Sequence, residues 1–211
     1  MGSRIPGCRR FAVLLLFAGL AGGWQVAVTA EMAAPNAAYL NPEGYRSAHY
    51  RAPTPLQVPH GQTLDTRGLQ ALLQRERPLL IDVQAVAVRP ELAEFGLSWL
   101  PSEPRYSLPG ATWLPNVGYA QLSPGMDGYF RSQLARLSGG DRSRPIVIFC
   151  VIDCWMSWNA VQRAYRYGYR NLYWYRDGTD LWAAKGMPLE VVQPVPLDNP
   201  GDASADTGRS D

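Results

Sequence analysis

The chain is poor in the residues that carry most metal and disulfide chemistry. Its 211 residues include three cysteines and two histidines, His49 and His60. So few cysteines exclude a disulfide-stapled scaffold. A structural zinc site needs three or four ligands from the same small set, so none is expected. Lysine is nearly absent, Lys185 being the only one, and we attach no function to the arginine bias. Net charge is weak, with 20 basic against 18 acidic side chains, so a nucleic-acid stripe is not expected. The N-terminal apolar run, FAVLLLFAGLAGG at residues 11–23, falls short of the roughly 20 residues a membrane helix needs. What is present is an apolar content of 46%, enough for a core and too much for a disordered chain. Proline, glycine, tryptophan and tyrosine are the unusual abundances, at 18, 20, 7 and 11.

The N-terminus explains part of this composition. Arg4, Arg9 and Arg10 precede the apolar run, and Val28-Thr29-Ala30 puts small residues where a signal peptidase reads. Residues 1–30 therefore read as a secretory signal peptide cleaved after Ala30. Cleavage removes Cys8 and three of the 20 basic residues but none of the 18 acidic ones, turning the formal charge from +2 to −1. The expected mature protein is periplasmic and keeps no membrane span. Its two cysteines, Cys150 and Cys154, meet an oxidising compartment.

Residues 31–61 read as a Pro/Tyr-rich arm, loose at first and ordered but irregular from about Gly44. Pro53, Pro55 and Pro59 favour an extended path, which Tyr45 and Tyr50 could pin to a surface. A domain is expected over 62–192 and a disordered tail over 193–211. Leucine spacing predicts a helix from Thr63 to Arg75, capped by Thr63 or Asp65. PLLIDVQ (78–84), IVIFC (146–150) and NLYWY (171–175) read as buried strands, with a short one from Ala111 to Leu114. Helices are expected over 127–137, 157–167 and 179–186. Alternating strands and helices predict an α/β fold, a central, mostly parallel sheet with helices on both faces.

Sites in such sheets lie beyond the carboxyl ends of the strands. Cys150 is expected to close a central strand, and its loop runs straight into a helix N-terminus. Unpaired amides and the helix dipole there favour a thiolate, a persulfide or a bound oxyanion. The loop is Cys150, Val151, Ile152, Asp153, Cys154, Trp155, Met156 and Ser157. Its only charged residue, Asp153, opposes a thiolate. Activation therefore falls to the backbone amides of residues 151–156, an oxyanion cradle. A local disulfide is also open to Cys150 and Cys154. Copper(I) suits two thiolates, whereas zinc lacks ligands, and both histidines read as surface residues of the arm. No cofactor and no metal is expected.

These pieces, in this order, resemble a rhodanese-like domain over residues 63–190. LLIDV supplies Asp82, LPGATWLPN supplies Pro109, Gly110 and Ala111, and IVIFC puts Cys150 where the family carries its persulfide-forming cysteine. GYRNLYWYRDGTDLWAAKGMPLE aligns Gly178, Trp182, Gly186 and Pro188 with the closing strand and helix. The resemblance implies a rhodanese-like fold, with Asp82 and Gly178 as structural supports and Cys150 as nucleophile. Met156 and Gln84 stand where the family has arginine, which implies weakened turnover of dianionic thiosulfate. More narrowly, GYRSAHYRAPTP, LPNVG, LARLSGGDRSRP and DCWMSWNA resemble the periplasmic PQQ-dependent catabolism-associated CXXCW motif proteins. Here three residues, not two, separate Cys150 from Cys154-Trp155. This second resemblance implies an accessory role in quinoprotein alcohol oxidation. It also implies a quinoprotein dehydrogenase or a c-type cytochrome as partner.

Three readings stay open. Cys150 carries sulfane sulfur and Cys154 resolves it as a disulfide. Alternatively, Cys150 and Cys154 form a thiol–disulfide couple acting on a partner. Or the domain is a non-catalytic binding module whose aromatics, Trp155 foremost, make the contact.

Overall fold

The coordinates are a computed structural model and describe residues 1–2, 38–87 and 99–197. The signal segment, residues 88–98 and the tail beyond residue 197 lie outside the described residues. Among the described residues no helix is long and apolar enough to cross a membrane.

The elements run β1 Gln62–Leu64, α1 Thr66–Arg75, β2 Leu79–Asp82, β3 Arg105–Ser107, β4 Thr112–Trp113, α2 Pro124–Ser138 and β5 Ile146–Phe149. They continue with α3 Trp155–Arg166, β6 Leu172–Tyr175, α4 Gly178–Ala184 and β7 Glu190–Val192. Five strands pair in the order β1-β6-β5-β2-β4, and every ladder is parallel. Strands β3 and β7 form a separate antiparallel pair.

Side chains of a strand alternate between faces, so β5 feeds two cores. Ile146 and Ile148 pack with Phe130 and Leu134 of α2 and Ala160 and Val161 of α3. Val147 and Phe149 pack with Leu69 and Leu72 of α1 and Trp182 of α4. Both faces are thus covered, which is why these strands read as continuous apolar runs. The expected α/β architecture is the one observed.

The differences lie at element ends. Thr63 and Leu64, expected in the first helix, pair with Trp174 and Tyr175 as strand β1. The sheet offers them a tertiary partner that helical spacing does not register. Asp65 then caps α1, its carboxylate accepting from Gly68 N at 2.7 Å. Helix α2 starts at Pro124, not 127. Ser123 accepts from Met126 N, proline suits the first turn, and Gly139 closes the helix at φ 66°. Helix α3 starts at Trp155, not Ser157, and β5 ends at Phe149, one residue before Cys150. Strands β3 and β7 are too short to show a period. Residues 193–197, assigned to the tail by composition, pack instead. Pro194 bridges Trp113, Val195 N donates to Trp113 O, and Leu197 is buried.

One polar cluster on α2 and α3 has a readable pH dependence. Asp127 accepts from Tyr167 Oη at 2.5 Å and pairs with Arg131 Nε at 2.9 Å. Burial pushes its carboxyl up, but the Tyr167 hydrogen bond and Arg131 outweigh that and hold it below its ordinary value. A depressed carboxylate stabilises the fold above the ordinary range near pH 4 and loses this as pH falls through the depressed value. The site is largely solvated, so Asp127→Asn is expected to cost only about 0.5–1 kcal/mol at pH 7. Urea midpoints from pH 7 to pH 3 check this, with the gap between Asp127→Asn and wild type closing below about pH 4.

Candidate functional site: the cysteine loop

The loop from Cys150 to Cys154 joins β5 to α3 at the carboxyl end of the sheet. Its two cysteines form a disulfide, with Cα atoms 6.5 Å apart. Cys150 is 0% and Cys154 3% exposed, whereas Val151, Ile152 and Asp153 are half-buried. Asp153 takes φ 52°, a left-handed conformation that aspartate tolerates better than most residues. Cys154 is the N-cap of α3 but makes no side-chain cap bond. The cysteine pair thus lies against the positive end of a 12-residue helix.

Two amides of the loop are already engaged. Ile152 N donates to Asp180 Oδ2 at 3.3 Å, and Trp155 N donates to Tyr50 O at 2.9 Å. The expected cradle of amides 151–156 therefore has two members taken by protein acceptors. Trp155, Met156 and Ser157 belong to the first turn of α3, where amides lack intrahelical acceptors. Ser157 Oγ donates to Cys154 O at 3.1 Å and accepts from Trp174 Nε1 at 3.0 Å, 3.8 Å from Cys150 Sγ. Its hydroxyl fixes the loop against β6. Through Ile152 N, Asp180 brings a second carboxylate to the loop, and like Asp153 it disfavours an anion on sulfur.

The two expected supports occupy different places. Gly178 lies directly under the loop. A Cβ there would meet Val151 C at 2.5 Å and Val151 Cα at 2.7 Å. Thr179 N donates to Cys150 O at 3.0 Å beside it. Asp82, at the end of β2, is fully buried and binds β3: Oδ2 accepts from Arg105 Nε at 2.8 Å and from Ser107 Oγ at 2.6 Å.

Burial overturns the idea of a tryptophan contact surface. Trp155, Trp158, Trp174 and Trp182 are all core residues, and Trp155 is 0% exposed. The Trp155 ring packs edge-on to Trp158 and beneath the Arg46 guanidinium, 4.7 Å from its centroid. Arg46 is itself buried. Desolvation pulls it below its ordinary value, against the opposing fields of Tyr39 and Tyr50.

Helix α3 ties the arm and residues 117–120 to the site through side chains that the sequence did not single out. Asn159 Oδ1 accepts from Arg46 N, and its Nδ2 donates to Arg46 O and Gly118 O, each at 2.8 Å. Arg163 donates to the carbonyls of Val117, Tyr119 and Ala120. Gly118 sits so close that a Cβ would meet Met156 O at 2.2 Å. Only the structure shows that α3 is buried continuously from Trp155 to Ala164, and that burial obliges Asn159 and Arg163 to find partners. A cleft of about 590 Å³ lies elsewhere, between residues 56–58 and the β1 edge with Arg176, and no residue of the cysteine loop lines it.

No protein-family model matches the chain, and no curated protein matches it. Among solved structures it is similar to a thiosulfate sulfurtransferase from Pseudomonas aeruginosa, at 21% identity and TM-score 0.43. That match covers 64% of this chain and 21% of the other, so this chain spans about a fifth of that protein's length. It is also similar to a polysulfide-sulfur transferase homodimer from Wolinella succinogenes, at 20% identity and TM-score 0.39, covering 62% and 79%. A rhodanese-like domain from Anabaena sp. gives 17% identity and TM-score 0.39, covering 64% and 86%.

Proposed function

We propose that this chain is a secreted rhodanese-like protein whose Cys150–Cys154 pair works as a thiol–disulfide couple. The observation that carries the reading is the bond itself. The two cysteines left after cleavage at Ala30 are joined across one short loop at a helix N-terminus. Closing so small a ring adds little to stability, so the bond has little value as a staple. The helix dipole favours the thiolate that thiol–disulfide exchange needs, whereas Asp153 and Asp180 oppose it. In the cycle an external dithiol gives two electrons and two protons to the disulfide and is itself oxidised. The partner suggested by sequence resemblance is a quinoprotein dehydrogenase or c-type cytochrome in the periplasm, served in an accessory role.

A second reading is favoured by Cys150 standing one residue beyond β5, before a helix N-terminus. Once reduced, the Cys150 thiolate takes the outer sulfur of a persulfide donor, releasing the donor thiolate. Cys154 then attacks the Cys150 persulfide at its inner sulfur, reforming the disulfide and expelling hydrosulfide. Met156 and Gln84 supply no cation for thiosulfate, so a persulfide is the better donor.

Titration of the mature protein in a dithiol redox buffer, read by mass spectrometry, tests the first reading. One reversible couple is expected, with both cysteines changing together, and it disappears in Cys154→Ser. A pair locked in one state at every accessible potential overturns it. The second reading predicts sulfide release from a persulfide donor. Release equal to that of a Cys150→Ser control removes it.

A further inference from the structure

We propose that the arm segment Tyr50–Thr54 is a strap that closes the disulfide off, and that thiols reach the sulfurs only when it lifts. This rests on the redox reading above and adds its regulation.

Three hydrogen bonds tie the strap to the loop, and two of them make an antiparallel β-bridge between Arg51 and Cys154. Trp155 N donates to Tyr50 O at 2.9 Å, and Ala52 N donates to Asp153 O at 3.1 Å. Thr54 N donates to Asp153 Oδ1 at 3.3 Å. The strap thus pairs with the half-buried side of a loop whose two cysteines are almost inaccessible. An attacking thiol must approach a sulfur in line with the S–S bond, which needs an open path.

The strap is also anchored on either side of these bonds. Upstream, Asn159 grips Arg46 by both its N–H and its carbonyl, and Tyr50 Oη accepts from Ala120 N at 3.1 Å. Downstream, Gln57 O accepts from Trp158 Nε1 at 3.1 Å and Val58 is buried. Between these anchors Arg51 and Pro53 are exposed. Tyr50 and Ala52 pack partly buried against the core and Thr54 is buried, so the strap opens only when these contacts and the three hydrogen bonds to the loop give way together. When it opens, the Asp153–Trp155 backbone edge becomes free to pair with another extended chain. The partner that fits is a polypeptide bringing its own cysteine in an extended segment. Reduction takes two electrons from two such thiols, which leave as a disulfide.

Ala52→Pro tests the strap. The change deletes the N–H that reaches Asp153 O, puts the proline ring in its place and restricts Arg51, so it loosens the strap without altering either cysteine. The rate of disulfide reduction by dithiothreitol is followed by acid quench and mass spectrometry on the mature protein. Ala52→Pro is expected to be reduced at least about tenfold faster than wild type, since about 1.4 kcal/mol of lost closure is a factor of ten. Equal rates overturn the strap while leaving a reversible couple, and hence the redox reading, intact. If neither protein can be reduced, both readings fall. Amide exchange gives a second measure that needs no variant. Residues 50–54 should exchange faster in dithiol-reduced wild type than in the oxidised form. Equal exchange overturns the coupling of strap to disulfide.

Discussion

Asp82→Ala is expected to cost about 3–5 kcal/mol, enough to unfold a marginal domain. The residue ends β2 with 0% exposure and every carboxylate contact made. Oδ1 accepts from Gln84 N at 2.9 Å and Oδ2 from Ser107 Oγ at 2.6 Å. The Arg105 guanidinium closes on the same oxygen through Nε and Nη2, both at 2.8 Å, with its side chain 13% exposed. The magnitude comes less from the ion pair itself than from what its removal leaves behind. A buried pair nearly balances its attraction against desolvation, but a guanidinium left alone keeps the desolvation cost and loses the attraction. Asp82→Asn keeps an acceptor for Gln84 N and is expected to be milder. Urea unfolding of Asp82→Ala, Arg105→Met and the double variant separates the two contributions. The double variant should be more stable than Asp82→Ala, since it no longer buries an unpaired cation. If Asp82→Ala loses less than about 1 kcal/mol, the β2–β3 link is not what the geometry implies.

The strands were the legible part of this fold, because double-sided burial writes itself into composition. LLID, IVIF and LYWY are apolar at nearly every position, and each is a strand of the parallel sheet. The cysteine loop was legible too, from two cysteines four apart between a buried run and a helix. Its covering was not. Arg46 meets Asn159 across 113 residues of chain and Tyr50 meets Ala120 across 70, and nothing in local periodicity couples such distant positions. Trp155 shows the same limit from the other side. Its type suits an interface, but Trp158 from the next turn of α3 and Arg46 from the distant arm enclose it. Strand β1 failed for a third reason. Leu64 continues a helical leucine spacing, and only pairing with β6 decides otherwise.

Gly178→Ala should be strongly damaging beside the disulfide, and comparison with Gly139→Ala shows why. Both glycines sit in the left-handed region, at φ 63° and φ 66°. A Cβ at Gly139 meets nothing within 4 Å, so its substitution isolates the backbone penalty, about 1 kcal/mol. At Gly178 the same penalty is joined by contacts at 2.5 Å to Val151 C, 2.7 Å to Val151 Cα and 2.8 Å to Ile152 N. These are backbone atoms of a loop closed by a covalent bond and anchored by Thr179 N on Cys150 O, so they cannot yield by a rotamer change. Overpacking of this kind adds about 1–3 kcal/mol, giving about 2–4 kcal/mol in all. The strain should be relieved where the loop is weakest, at the 3.3 Å bond from Ile152 N to Asp180. Amide exchange at Ile152 should therefore accelerate in Gly178→Ala and stay unchanged in Gly139→Ala. Equal destabilisation by the two substitutions would show that the close approach under the disulfide loop carries no energy.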